Sequence, residues 1–192
     1  MNVAIFEVCR NPEIRKQTET LLLSQAFERL RIPCQVYSND GIWQRRTFLN
    51  RSLLQKSLTE DTVDVVHLAL HGDREGLVLG WSQAEKIRDR RPQTRLSPSD
   101  IESMTQWRGK LIVSGAASVY PLAESFLNAG ASGVVVPERS ISYQNLIPFL
   151  EGFYGKIASR QSPQPALDSA IRQFPDLQSF RLLSRRGTGG LS

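Results

Sequence analysis

Two apolar runs of strand length constrain this chain most: Val63–Leu70, which ends in His71-Gly72, and Leu111–Val113, which ends in Ser114-Gly115-Ala116. The first is apolar on both faces, as a strand at the centre of a parallel sheet must be when helices cover it above and below. Each run stops abruptly at small or polar residues. In an open parallel sheet the carboxyl ends of the strands collect ligand and catalytic groups. The His-Gly end and the small-residue turn are therefore the first places to look for chemistry.

The remainder alternates between strand-length and helix-length segments, which predicts an α/β fold with a mostly parallel sheet. Residues Val3 to Val8 form a first strand. Asn11-Pro12 opens a helix with proline in its first turn. Leu21, Leu22, Gln25, Ala26, Arg29 and Leu30 keep helical spacing until Ile32-Pro33 stops it. Gln35-Val36-Tyr37 is a short second strand, Asn39-Asp40-Gly41 a turn, and residues 43–58 a second helix. Gly76 to Trp81 reads as a hairpin arm, and the charged stretch Ser82 to Thr94 as a mobile flap over a cleft. Ser97 is placed to cap a short helix with Pro98 at its first position. A helix from Pro121 to Asn128, a fifth strand from Gly133 to Val136, and helices over 145–159 and 165–173 complete one domain, residues 1–183. A Gly/Ser/Arg-rich tail, residues 184–192, is expected to be flexible.

Composition narrows the function classes. At 40% hydrophobic and 22% charged residues the chain is globular, and no apolar run reaches membrane-span length. The N-terminus lacks the basic region of a signal peptide. Two cysteines, Cys9 and Cys34, build no disulfide framework, which points to the cytoplasm. No cofactor is expected, and no Cys/His cluster has zinc spacing. The net charge is +5, but the basic residues are scattered and no aromatics interleave with them, so nucleic acid is not expected as a direct partner.

His-Leu-Ala-Leu-His-Gly at 67–72 resembles the histidine motif of CHAT domains, peptidases with a caspase-like fold. Leu-Ile-Val-Ser-Gly-Ala at 111–116 stands where that family has a strand ending in its cysteine. Residues 122–131, 132–136, 149–154 and 165–170 are similar to the helices and strand that follow. The resemblance implies a caspase-like three-layer sandwich and a cysteine endopeptidase of a bacterial defence or cell-death system. It implies a protein substrate and a separate regulatory or sensor chain. The interval from His71 to position 116 is near the roughly 50 residues quoted for caspases. By resemblance His71 is the general base, the N–H groups of Gly72 and residue 116 form the oxyanion hole, and residue 116 carries the nucleophile. Ser114 would line the first specificity pocket, with Asp73 and Glu138 contributing charge. Residue 116 is alanine. That substitution reads as an inactivated site, an engineered variant ahead of a natural pseudo-protease that binds peptides or proteins in the old cleft.

Other residues read more plainly. His67 shares a sheet face with His71 and is taken as structural or supporting. Cys9 and Cys34 are small apolar residues, and Ser114 and Ser118 are poor candidates for hydroxyl nucleophiles. Gly189-Gly190 belongs to the flexible terminus. A nucleotide-binding doubly wound domain needs a glycine-rich loop after the first strand, and Cys9-Arg10-Asn11-Pro12 has no glycine.

Overall fold

Alternation along the first strand divides the molecule into layers. The structure, a computed structural model, describes residues 1–8, 19–38, 49–60, 62–81 and 91–185. Strand β1 (Val3–Glu7) is buried throughout. It sends Val3 and Ile5 into one apolar core and Ala4 and Phe6 into another, as the two-residue period of a strand requires. Strands β2 (Cys34–Ser38), β3 (Val65–Ala69), β7 (Leu111–Val113), β8 (Gly133–Pro137) and β9 (Phe180–Leu183) join β1 in a six-stranded sheet of order β2-β1-β3-β7-β8-β9. All pairings are parallel except β8 with β9.

Helices α1 (Glu19–Leu30), α5 (Leu146–Ala158) and α6 (Pro163–Gln173) cover one face through Phe27, Phe149, Phe153 and Leu167. Helices α2 (Arg51–Glu60), α3 (Pro98–Ser103) and α4 (Ala123–Asn128) cover the other through Leu54, Ile101 and Phe126. The result is the three-layer α/β arrangement with a mostly parallel central sheet that the apolar runs predicted. No described helix is long and apolar enough to cross a membrane.

A small antiparallel sheet follows β3. It consists of β4 (Gly72–Asp73), β5 (Gly76–Trp81) and β6 (Pro92–Leu96). Pro92–Leu96, expected to end or follow a flap over Ser82 to Thr94, instead pairs with β5 across an irregular register. Strand β9 was not foreseen either. It is a short edge strand with Arg181 in its middle, so it lacks the continuous apolar signature of the buried strands. The Asn11-Pro12 helix start, the turn at Asn39, residues 43–48, residues 82–90 and the tail from 186 lie outside the described residues.

Ser97 caps α3 as its position suggested. Its hydroxyl accepts from the Asp100 N–H at 3.1 Å, and the Asp100 carboxylate accepts from the Ser97 N–H at 3.1 Å, a reciprocal capping box. Arg51 of α2 pairs with the same carboxylate at 2.5 Å and ties the two helices together. Ser97→Ala is expected to lower unfolding stability by about 1 kcal/mol, measured by urea denaturation. Phe153→Ala, which empties a fully buried position, should cost about 3–5 kcal/mol in the same experiment.

Candidate functional site

His67 sits at the middle of the sheet, with Ile5 of β1 and Val113 of β7 as its register partners. It is 0% exposed. An imidazole among aliphatic side chains is costly unless both ring nitrogens find partners. The covering helices supply them. The Tyr154 hydroxyl, from α5, lies 2.8 Å from Nδ1, and Glu19 Oε1, at the start of α1, lies 2.9 Å from Nε2.

The proton positions follow from the partners. Tyr154 is fully buried with its ring edge-on to Phe27. Its pKa is held well above the ordinary value, first by burial, then by the charge of Glu19, then by Cys34. The hydroxyl therefore keeps its proton, and we assign it as the donor to Nδ1 of a neutral ring. A carboxylate only accepts, so Nε2–H donates to Glu19. One directed chain runs from Tyr154 in the core, through His67, to Glu19.

Glu19 is where this chain meets the surface, with its side chain 15% exposed. It lies over Gly115, just past β7. A Cβ on Gly115 would stand 2.7 Å from Glu19 Oε1 and 2.8 Å from Leu146 Cδ2. The absent side chain is the seat of the carboxylate. Among the described residues, Glu19 Oε2 has no hydrogen-bond partner, and no lysine or arginine pairs with Glu19. Tyr143 lies within electrostatic reach. The residue is 61% exposed, and its pKa is raised first by desolvation and then by the Glu19 charge.

The residues singled out from the sequence are placed as follows. His71 is exposed at the exit from β3, edge-on to Trp81 with ring centroids 6.1 Å apart, and its carbonyl accepts from the Val78 N–H. Gly72 packs against the turn after β7. Its N–H donates to Ser118 Oγ at 3.3 Å, and an added Cβ would stand 3.0 Å from Leu122 Cδ1. The Ala116 N–H donates to Ser114 Oγ at 3.2 Å. Ser114 is buried, and its hydroxyl donates to the Leu68 carbonyl of β3 at 2.8 Å. Asp73 is ion-paired with Arg95. Its pKa is lowered, chiefly by the hydrogen bond from Arg95. Glu138 pairs with Arg181 at 3.0 Å, one strand further along the edge. The structure thus brings Gly72 and the 114–118 turn together and leaves Asp73 and Glu138 in separate ion pairs. Among the described residues, no group of three or more His, Cys, Asp or Glu is arranged to hold a metal ion.

No known protein family matches the chain, and no curated protein matches it significantly. Among solved structures it is similar to the pyridoxal kinase from Staphylococcus aureus in complex with AMP-PCP and pyridoxal. That likeness is at 12% identity and TM-score 0.40, over 88% of this chain and 85% of that one. It is similar also to a putative phosphomethylpyrimidine kinase from Bacteroides thetaiotaomicron. There the identity is 11% and the TM-score 0.36, over 89% of this chain and 84% of that one. Likeness at this level transfers neither protein's activity to this chain.

The resemblance to CHAT-type peptidases is corrected by these findings. No peptidase family matches, and the solved structures named here are described as kinases, not proteases. The local geometry agrees. Position 116 has no thiol, and the two N–H groups assigned to an oxyanion hole are turned onto Ser118 and Ser114. The cysteine-endopeptidase reading and its pseudo-protease alternative both fall, and Ala116 needs no missing sulfur to explain it.

Glu19 and Tyr154 were not singled out from the sequence, and His67 was given only a supporting role. One signal was available. A histidine in an apolar strand covered on both faces demands partners from the covering helices. Gly115→Ala is expected to push Glu19 off His67 and to lower stability by about 1–3 kcal/mol. Urea denaturation, together with loss of the hydrogen-bonded His67 Nε2–H resonance, checks this.

Proposed function

We propose that this chain binds a small cationic ligand, a primary amine or a guanidinium, at the carboxyl edge of its sheet, with Glu19 as the counter-charge. One observation carries the reading. A buried Tyr154–His67 pair holds Oε1 of a part-exposed Glu19, close over Gly115 where a Cβ would displace it, and leaves Oε2 without a partner among the described residues. A carboxylate fixed in this way loses little freedom on binding, which favours affinity. The exposed ring of Tyr143 offers an aromatic face to the same cation. The position also suits a ligand site, since parallel sheets bind ligands beyond their strand carboxyl ends.

The caspase-like form of the three-layer sandwich is retained as a proposal about architecture alone. Its support, among the described residues, is the placement of three helices on each sheet face and the small antiparallel sheet after β3. The cytoplasm is the proposed location, supported by the free thiol of Cys34.

Glu19→Gln tests the function. The amide oxygen can still accept from His67 Nε2–H, so the fold is kept while the charge is removed. Titration of the full chain with n-butylamine and with ethylguanidine should shift the Tyr143 ring resonances saturably. In Glu19→Gln both affinities should fall at least tenfold. Equal binding by the two proteins would contradict the proposal.

A further inference from the structure

A second site lies one strand further along the same edge. A cavity of about 350 Å³ opens where β8 ends and β9 begins, lined by Glu138, Arg139, Gln178, Ser179 and Arg181. That volume lies at the lower end of the range for small-molecule sites, and every lining residue is polar or charged. The wall is fixed by backbone pairing. Pro137 faces Phe180 in the β8–β9 register, and the Glu138 N–H donates to the Ser179 carbonyl at 3.0 Å.

Three side chains decide what the cavity takes. Arg181 is committed to the protein: its guanidinium pairs with Glu138 at 3.0 Å and donates to the carbonyls of Gln178 (2.7 Å) and Phe180 (3.0 Å). The Glu138–Arg181 pair therefore presents no net charge. Arg139 lines the same cavity and has no ion-pair partner among the described residues. Ser179 is 5% exposed, and its hydroxyl has no hydrogen-bond partner among the described residues. A buried hydroxyl left unpaired is costly and calls for an explanation. Ser179 and Arg139 line the same cavity, where one acceptor with negative charge would serve both.

We propose that this cavity binds the carboxylate of a small organic acid. Arg139 supplies the charge, with the flat fork that matches a carboxylate, and the Ser179 hydroxyl donates to it. With Arg181 neutralised by Glu138, the cavity offers one net positive charge, which suits a monoanion better than a phosphate dianion. The inference does not depend on the cation site at Glu19.

The test is an NMR titration of the full chain with sodium acetate, and separately with inorganic phosphate, at ionic strength held constant with sodium chloride. Acetate should shift the Arg139 Nε–H and Ser179 amide signals to saturation and should bind more tightly than phosphate. Arg139→Gln should weaken acetate at least tenfold. Ser179→Ala should weaken it about threefold or more, with the amide spectrum elsewhere unchanged in both variants. Shifts that rise without saturating, or acetate binding unchanged in Arg139→Gln, would overturn the site. Tighter binding of phosphate than acetate would overturn its assignment to a carboxylate.

Discussion

The hydrogen-bonded histidine at the centre of the sheet is the constraint on which the rest of this structure depends. Both register partners of His67 in the sheet are aliphatic, so its two nitrogens dictate where α1 and α5 must lie. Tyr154 fixes α5 over β3, and Glu19 fixes the start of α1 over the end of β7. Leu146 and Gly115 close the remaining space around the carboxylate. An aliphatic residue at position 67 would pack, but would strand a buried hydroxyl and leave the carboxylate unsupported, each at a cost of about 1–3 kcal/mol. Three elements far apart in the chain are tied together by one ring.

The carboxyl edge that results is electrically uneven. Glu19 projects a negative charge at the β3–β7 junction. At the end of β8, Glu138 and Arg181 cancel and Arg139 leaves a positive charge. The small sheet after β3 carries its own ion pair between Asp73 and Arg95. Neighbouring sites of opposite sign on one edge suit ligands of opposite charge, which is why the two proposals separate by chemistry.

The layers were legible because burial on both faces leaves a plain mark. Leu111–Val113 is the observed β7, and the Ser97 cap starts α3 where the side-chain chemistry demands it. The edge strands β6 and β9 were not legible, since Arg95 and Arg181 interrupt their apolar character. The motifs at 67–72 and 111–116 misled because small residues at strand ends have more than one use. Gly72 is small so that Leu122 and the Ser118 carbonyl can approach, and Gly115 so that Glu19 can. Close packing selects the same letters as a catalytic turn. The partners of His67 lie 48 and 87 residues away in sequence, on helices whose docking no local pattern reveals.

The tautomer of His67 tests the central claim most directly. Nitrogen-15 chemical shifts of the ring, measured on the full chain at pH 7.5, distinguish a protonated from an unprotonated imidazole nitrogen. The directed chain from Tyr154 to Glu19 predicts a proton on Nε2 and a bare Nδ1 that accepts from the phenol. A proton on Nδ1 would reverse the chain, remove the hold on Glu19 and contradict the account.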